Sequence, residues 1–570
     1  MGFDARGTPG ESAEAGNAQN PHRSKYCLGK PVTWVITGRV AEIHYCTQGI
    51  AYNPPPANLD RAWYEDVGTH RPRDVMSRFR ALVKNSAANV ASGAANAVLA
   101  VVLPPVLIRH LTADEFSTWA VVLQLAAIVN MFGFVVQVAV GRYVARCTIA
   151  GDHEFRRQMV STAFAGMWGA TVIALAVVGS MAWLLPTWFP GIPQHGRDEA
   201  RLALLLIGSS LATGLPATVA AGVFSGFQRN EIPAYVIVAS RLAIAAALVF
   251  LATAGAGLSA MAGAYAAINV AATLIQLALL KQQHPDLGFR RTAVTMRAGR
   301  ELAGYCFSLT VWSISILAVN GLDSVIAGRI DFHWAGYFAV VGSVVTLALG
   351  VQVAVLQPLV AIAAQLHSRH ESRRLGELLI EATRANAALS LLCLVPIYIA
   401  GGPLLGWWIG SALGAQILPI LQVVLLGIFL RQTVAPFAAI LLGTGEQRLV
   451  IATPIYEGVA KLAVSIALGI WIGPIGIALG TVVGGVVCLA TNLLRNFPRV
   501  RGLDIDRRRF VLSGAIRPTV VFAPVLLVAV ADALLAEPTP LSLRIIAALL
   551  TSAGALALGW PALRRLRALV

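Results

Sequence analysis

The sequence predicts an all-α membrane protein with about fourteen transmembrane helices, arranged as two pseudo-symmetric six-helix lobes around a central cavity plus two extra C-terminal helices. Three observations predict this class: the composition, recurring apolar runs of spanning length, and an internal repeat. Hydrophobic residues make up 57% of the 570 residues and charged residues only 13%, whereas a soluble domain has about 25% charged residues. Most of the surface is therefore suited to lipid rather than water.

Apolar runs of roughly 20 residues, long enough to cross a hydrocarbon core of ~30 Å, recur from Ser86 almost to the C-terminus. Glycine and proline are frequent within them, as membrane helices tolerate. The predicted spans, numbered 1 to 14 in chain order, are 86–108, 116–140, 159–184, 201–224, 232–254, 258–280, 302–325, 335–360, 383–402, 416–442, 448–471, 474–494, 512–533 and 541–561.

The basic residues are distributed unequally between the two sides that these spans define. From residue 71 onward, one set of alternate connections holds 31 Lys and Arg residues, and the other set holds only Arg109, Arg197, Arg201, Arg329 and Arg544. Since basic loops face the cytoplasm, we expect both termini to be cytoplasmic and the protein to lie in the cell inner membrane. This topology also explains the net charge of +16 without a nucleic-acid partner, which we do not expect.

The chain divides into four predicted regions. Residues 1–75 are polar and contain a Pro-Pro-Pro run, so we expect a disordered tail. One hypothesis is that the initiator is Met76 or a residue near it and that the tail is a gene-model extension; the alternative is a genuine flexible tail. Beyond it we expect an N-lobe at 76–290 with spans 1 to 6, a C-lobe at 291–502 with spans 7 to 12, and spans 13 and 14 at 503–570.

An internal repeat supports the two lobes. The connection IRHLTADEFSTW, which begins at Ile108, resembles IAGRIDFHWAGY, which begins at Ile326, an offset of 218 residues. GFQR at Gly226 likewise resembles GEQR at Gly445, an offset of 219. The agreement in offset and in span number indicates a duplicated six-helix unit. Because six is even, the copies share one orientation, and their axis lies along the membrane normal.

No catalytic constellation is apparent. The sequence lacks a GxxxxGK[ST] loop, an HExxH motif and a GxSxG motif in a strand-helix setting. The six cysteines form no CxxC or metal-binding spacing. We therefore expect no catalytic residues, no metal site, no cofactor, and a protein that is not an enzyme.

Charged residues inside the spans are the candidates for function, because a charge at the bilayer centre costs ~2.5 kcal/mol or more and usually faces a protein interior or a cavity. Arg431, with Gln432 beside it, lies near the middle of span 10. One interpretation is a contact for an anionic headgroup such as a pyrophosphate, which guanidinium binds in a bidentate manner. The other is an internal ion pair that holds the lobes together.

Further polar residues complete the candidate set. Glu457 and Lys461 are four residues apart in span 11, where they can pair on one helix face, either as a structural pair or as part of proton coupling. Arg241 in span 5 either lines the mouth of the cavity or extends to the membrane surface. The remaining candidates each have a structural alternative, a helix cap or a contact between helices: Asn89, Asn320 and Asp323.

Four segments resemble one known family: LPPVLIRHLTADEFSTWAVVLQL, GVFSGFQRNEIPAY, NGLDSVIAGRIDFHWAGYFAV and LLGTGEQRLVIATPIYEGVAKLAVSI. They are similar to bacterial polysaccharide (O-antigen and exopolysaccharide) flippases of the multidrug/oligosaccharidyl-lipid/polysaccharide exporter superfamily. The resemblance covers about residues 77–500. It implies two lobes around a V-shaped cavity, an undecaprenyl-pyrophosphate-linked oligosaccharide as cargo, antiport with protons or sodium, and partners among the polysaccharide polymerase and other biosynthesis proteins.

Three functions remain in competition. The first is a non-enzymatic flippase for a polyprenyl-pyrophosphate-linked glycan in the lipid bilayer. The second is a multidrug cation antiporter of the same superfamily, which the scarcity of acidic residues in the spans disfavours. The third is a membrane polysaccharide polymerase or glycosyltransferase, which the short loops on the less basic side disfavour. Lipid II flippases have a strongly cationic first lobe, whereas the cations here lie in spans 5, 10 and 11, so we expect an oligosaccharide cargo.

Overall fold

A computed structural model describes residues 35–36, 39–40, 93, 95–446, 449, 451–500, 507–534 and 539–569. The chain separates into two units, Met1–Val75 and Met76–Val570. The first contains one short antiparallel pair of strands, β1 (Val35–Ile36) and β2 (Arg39–Val40). Apart from these four strand residues, the predicted disordered tail at 1–75 and the predicted initiator at Met76 lie outside the described residues.

The described part of the second unit is helical. Its α-helices, numbered in chain order from α1 to α18, are Ala95–His110, Ala113–Ala150, His153–Trp188, Arg197–Thr213, Leu215–Gly226, Glu231–Thr253, Leu258–Gln283, Met296–Asn320, Asp323–Ile330, Phe332–Ser368, Ser372–Ile409, Ser411–Gln432, Ala435–Gly443, Ala452–Ile472, Pro474–Ala490, Arg507–Val511, Arg517–Leu534 and Leu541–Leu569.

Twelve helical segments of the described chain are long and apolar enough to cross a membrane. They match predicted spans 2 to 12 and span 14, with α4 and α5 counted as one segment and α12 and α13 as another. Predicted spans 1 and 13 correspond to α1, which is shorter, and to α17. The protein is therefore a multi-pass helical membrane protein, and the total of fourteen spans stays a prediction.

Helix ends recur at the offset of the predicted repeat. The Thr112 side chain caps α2 and forms a capping box with Glu115, and the Asp331 side chain caps α10, an offset of 219 residues. Predicted spans 4 and 10 also break at matching places, the first at Gly214 and the second at Thr433 and Val434. The two halves thus share this helix start and this interruption at the offset of the repeat.

Equivalent residues of the two halves meet where α2 packs against α10. Asp114 on α2 and His333 on α10 are 219 positions apart, and the His333 Nε2 lies 3.3 Å from the Asp114 Oδ1. Ser117 and Gly336 are also 219 apart, and a Cβ on Gly336 would lie 3.1 Å from the Ser117 Oγ. A residue touches its own symmetry mate only near the symmetry axis, so these contacts place the pseudo-two-fold axis between α2 and α10.

Aromatic and charged side chains form a cluster around His284, just beyond the end of α7. The His284 ring, which follows α7, stacks on the Phe227 ring with centroids 4.4 Å apart. The Arg156 guanidinium lies 5.3 Å from the same Phe227 centroid and 3.7 Å from the Asp286 carboxylate. Burial lowers the pKa of His284, and Arg229 and Arg156 act in the same direction against the opposing effect of Asp286.

This cluster predicts a pH-dependent stability. Because the pKa of His284 is lowered in the folded state, the unfolded chain binds a proton there more readily than the folded chain as the pH falls through ~6.5. The free energy of unfolding therefore decreases toward acid pH. His284→Phe keeps an aromatic ring against Phe227 and removes this proton, so thermal unfolding in detergent at pH 7.5 and at pH 5.5 should differ less than in the wild type. An equal difference in both proteins would contradict the assignment.

Candidate functional site

A cavity of about 650 Å³ lies inside the helical bundle. Helices from both halves line it, among them α2, α6, α10, α12 and α14. Six of the eight side chains that the sequence singled out border this cavity: Arg241, Asn320, Asp323, Arg431, Glu457 and Lys461. These six residues come from four separate predicted spans and lie around one cavity, and their part in binding stays a prediction.

The other two candidates do not line it as described. Asn89 lies outside the described residues. Gln432 faces away from the cavity, a correction to the expected cavity role. Its side-chain amide donates to the Gln352 oxygen, and its backbone carbonyl accepts a hydrogen bond of 2.7 Å from the Asn386 amide. Because Gln432 is next to Arg431 on a helix, its side chain points about 100° away, into the packing between α10, α11 and α12.

Two ion pairs organise the charged wall of the cavity. The Arg431 Nε lies 3.1 Å from the Glu457 Oε1, and the Arg431 Nη1 donates to the Asn320 Oδ1 at 2.7 Å. The Lys461 Nζ lies 2.9 Å from the Asp323 Oδ2. The predicted pair between Glu457 and Lys461 is therefore wrong, since each pairs with a residue of another helix. The Arg431 pair also stays within the second half and does not join the two lobes.

A break in predicted span 7 accounts for this exchange of partners. Helix α8 ends at Asn320 and α9 begins at Asp323, so the expected continuous span at 302–325 is wrong. The break turns the Asp323 carboxylate toward Lys461 and leaves the Gly321 carbonyl free to accept from the Gln124 side chain of α2. Span 7 is thus tied to both halves of the protein at the level of the cavity.

Close packing of α14 against α15 places two charges deep in the bundle. A Cβ on Gly480 would lie 2.0 Å from the Ser465 Oγ, and one on Gly484 would lie 3.2 Å from the Lys461 Cβ. Only 2% of the Lys461 side chain and 3% of the Glu457 side chain are exposed. The four-residue spacing of these glycines, shared by Gly476, is the small-residue signal of close helix contacts in membranes, which the length and hydropathy of the spans alone do not reveal.

The cavity carries a small excess of positive charge. Its described lining contains three cations, Arg241, Arg431 and Lys461, and two carboxylates, Asp323 and Glu457. Arg241 comes from the first half, where its Nη1 lies 3.4 Å from the Tyr265 hydroxyl. Arg431 remains 22% exposed while its partner Glu457 is buried. Arg431 is thus both anchored and accessible, as a cation that meets a ligand must be.

Comparison with known proteins supports this architecture. Residues 82–360 match the model of the family described as "Polysaccharide biosynthesis protein". No curated protein sequence matches the chain. The fold is similar to the lipid II flippase MurJ in an inward closed conformation, with a TM-score of 0.63, 13% identity, and coverage of 85% of this chain and 100% of that one.

Two transporters of the MOP superfamily share the fold. An inward-facing multidrug resistance transporter of the MATE family gives a TM-score of 0.61 at 13% identity, over 70% of this chain and 94% of that one. A MOP-superfamily transporter from Pyrococcus furiosus gives 0.50 at 14% identity, over 72% and 94%. Over residues 82–360 the chain is thus similar to the polysaccharide biosynthesis protein family, and its fold is similar to that of MurJ and the MATE transporters.

Proposed function

We propose that the protein is a flippase that moves an undecaprenyl-pyrophosphate-linked oligosaccharide across the cytoplasmic membrane by alternating access, coupled to an ion. The observation that carries this proposal is the cavity, whose lining has three cations and two carboxylates inside a membrane bundle. Such a space shelters a hydrophilic glycan and a charged pyrophosphate, while the polyprenyl chain stays in the lipid. Its charge balance suits an anionic cargo.

Arg431 is the proposed contact for the pyrophosphate. Its described contacts use Nε for Glu457 and Nη1 for Asn320, whereas a guanidinium has five N–H donors in a planar fork. The remaining donors suit the oxygens of a phosphate. Arg241 lines the same cavity from the first half, so cargo held between the two cations would touch both lobes.

The charge pattern favours this cargo over the alternatives. An antiporter of organic cations requires a cavity with free acidic groups, but Asp323 and Glu457 are each held by a cation. A polymerase or glycosyltransferase requires acids or bases positioned against a reacting sugar, whereas both carboxylates of the described cavity lining are held in ion pairs. The proposed protein is a transporter and not an enzyme, in the cell inner membrane with both termini cytoplasmic, next to the polymerase and other biosynthesis proteins.

A reconstituted assay tests the function directly. Purified protein is placed in liposomes that contain polyprenyl-pyrophosphate oligosaccharide with a nitrobenzoxadiazole label on the sugar. Dithionite bleaches only the label in the outer leaflet, so a flippase should raise the bleached fraction from about half toward completion.

One outcome of this assay and two further measurements separate the candidates. A bleached fraction that stays near half contradicts the flippase. Uptake of a cationic dye under a pH gradient would favour the multidrug antiporter instead. Joining or cleavage of glycan in detergent, where no transport takes place, would favour the enzyme.

The contact on the pseudo-symmetry axis makes a second prediction. If the lobes rock against each other, the Asp114 and His333 pair at 3.3 Å must separate during each cycle. In a variant with the six native cysteines replaced by serine, Asp114→Cys with His333→Cys should lose glycan flipping when a thiol-cleavable bifunctional reagent links the two, and regain it after cleavage.

A matched control links two residues that the proposed motion does not separate. The Arg544 Nη2 lies 2.8 Å from the Asp532 Oδ2, across the hairpin between α17 and α18. Linkage of Asp532→Cys with Arg544→Cys should leave flipping unchanged. Full flipping by protein that is completely linked between positions 114 and 333 would contradict the rocking of the lobes.

A further inference from the structure

The most buried cation among the described residues, Lys461, lies at the break in span 7. The Lys461 Nζ donates to the Val319 carbonyl, and it lies 2.9 Å from the Asp323 Oδ2. The Lys461 side chain is almost completely buried, whereas the Asp323 side chain is 23% exposed. The ammonium group is therefore enclosed by a main-chain oxygen and a carboxylate and has little access to water.

The break itself creates this environment. The last four carbonyls of a helix have no partner within the helix, and their dipoles give that end a partial negative charge. Helix α8 ends at Asn320, so the Val319 carbonyl is one of these groups. Asp323, the first residue of α9, adds a full negative charge. Unwound carbonyls next to a carboxylate inside a membrane form a binding environment for a monovalent cation.

Lys461 reaches the break in span 7 because α14 packs closely against α15. Gly480 and Gly484 on α15 leave no room for larger side chains beside Ser465 and Lys461, so α14 packs deep within the second half. From there the four-carbon stem of Lys461 carries the ammonium to the break. A charge at this depth needs a partner to avoid a large desolvation penalty, and Asp323 supplies it.

Other side chains donate hydrogen bonds to the remaining oxygens at the break in span 7. The Arg431 Nη1 donates to the Asn320 Oδ1, and the Gln124 amide of α2 donates to the Gly321 carbonyl. The oxygens of three successive residues, 319 to 321, therefore accept from three different helices. A cation at this site is therefore one of the three contacts that hold span 7 between the two halves.

We propose that the Lys461 ammonium occupies a monovalent-cation site formed by the Val319 carbonyl and the Asp323 carboxylate, so that the chain supplies its own cation there. The protein then needs no free sodium at this position. Removal of the amine leaves an anionic pocket that takes up Na⁺ from solution. This inference deepens the proposed function by assigning the ion dependence of the same cavity.

Thermal unfolding in detergent tests the site without any cargo. Lys461→Ala should unfold at a temperature that rises and saturates as NaCl replaces choline chloride at constant ionic strength. The wild type should show no such rise. Lys461→Ala with Asp323→Asn should also show none, because the carboxylate that holds Na⁺ is gone. Lys461→Ser is a second small variant, for which we expect the same response as for alanine.

Three results would overturn the proposal. The first is a Lys461→Ala response to Na⁺ that matches the wild type or the double variant. The second is a saturable Na⁺ response of the wild type that Asp323→Asn removes. The third is failure of both small variants to fold in every salt while Lys461→Met folds, since this would show that the position requires side-chain volume rather than charge.

The liposome assay separates this inference from the proposed function. The wild type should flip the glycan equally fast in Na⁺ and in choline. Lys461→Ala should flip it several-fold faster in Na⁺ than in choline. If no variant flips the glycan while Lys461→Ala still gains stability from Na⁺, the cargo assignment fails and the cation site stands. If flipping proceeds while that stability gain is absent, the site fails and the cargo assignment stands.

Discussion

Arg431→Ala should abolish export of the polysaccharide, because it removes the accessible cation that we assign to the pyrophosphate. The same change leaves Glu457 buried without its partner at 3.1 Å, and breaking a buried pair in this way costs ~3–5 kcal/mol. Export alone therefore does not separate a lost cargo contact from a lost fold. Surface polysaccharide has to be measured together with the amount of protein in the membrane and its unfolding temperature.

A double variant resolves the two effects. Arg431→Ala with Glu457→Gln removes both charges of the pair, so much of the lost stability should return. If Arg431 contacts the cargo, export should stay at the background level in this variant. Arg431→Lys keeps the charge without the bidentate fork and should retain a fraction of the export. Export at the wild-type level in the double variant would show that Arg431 serves only to neutralise Glu457.

Gly480→Ala should produce a large loss of stability, because Gly480 lies in the tight contact between α14 and α15. The added Cβ would lie 2.0 Å from the Ser465 Oγ and 2.8 Å from the Ser465 backbone nitrogen, so α14 and α15 have to move apart. Overpacking of this kind costs ~1–3 kcal/mol or more. It would also displace Lys461 and Glu457, so both the unfolding temperature in detergent and the export should fall.

Gly263→Ala on α7 is the matched control. A Cβ there meets no atom within 4 Å, and alanine favours a helix more than glycine does. We expect unchanged or slightly increased stability and normal export. Similar unfolding temperatures for the variants at positions 480 and 263 would contradict the close packing of α14 against α15.

The spans and the repeat are readable from sequence because both depend on local composition. A lipid-facing helix needs about 20 apolar residues whatever its neighbours are, and the 219-residue offset recurs in the caps at Thr112 and Asp331. Charges in the spans also identify a cavity, because lipid tolerates them poorly. Arg431, Glu457 and Lys461 line the cavity for this reason.

The partners of these charges depend on geometry that hydropathy does not contain. Glu457 and Lys461 satisfy the spacing of a helical pair, yet Arg431 and Asp323 from other helices take their places. The Asn-Gly step at 320–321 is a turn signal. The apolar residues around it hide the break when hydropathy is averaged over the whole span. The side-chain direction of Gln432 likewise depends on how three helices meet.

The axial contact between Asp114 and His333 also bears on how such a chain arose. In an ancestral homodimer of identical halves, the residue at this position would have faced its own copy, and two carboxylates there would have repelled each other. In a single chain the two positions are free to differ, so an acid and an imidazole stand where two identical carboxylates would repel each other. Ser117 and Gly336 differ in size in the same way, so the contacts at the axis depend on the two halves not being identical.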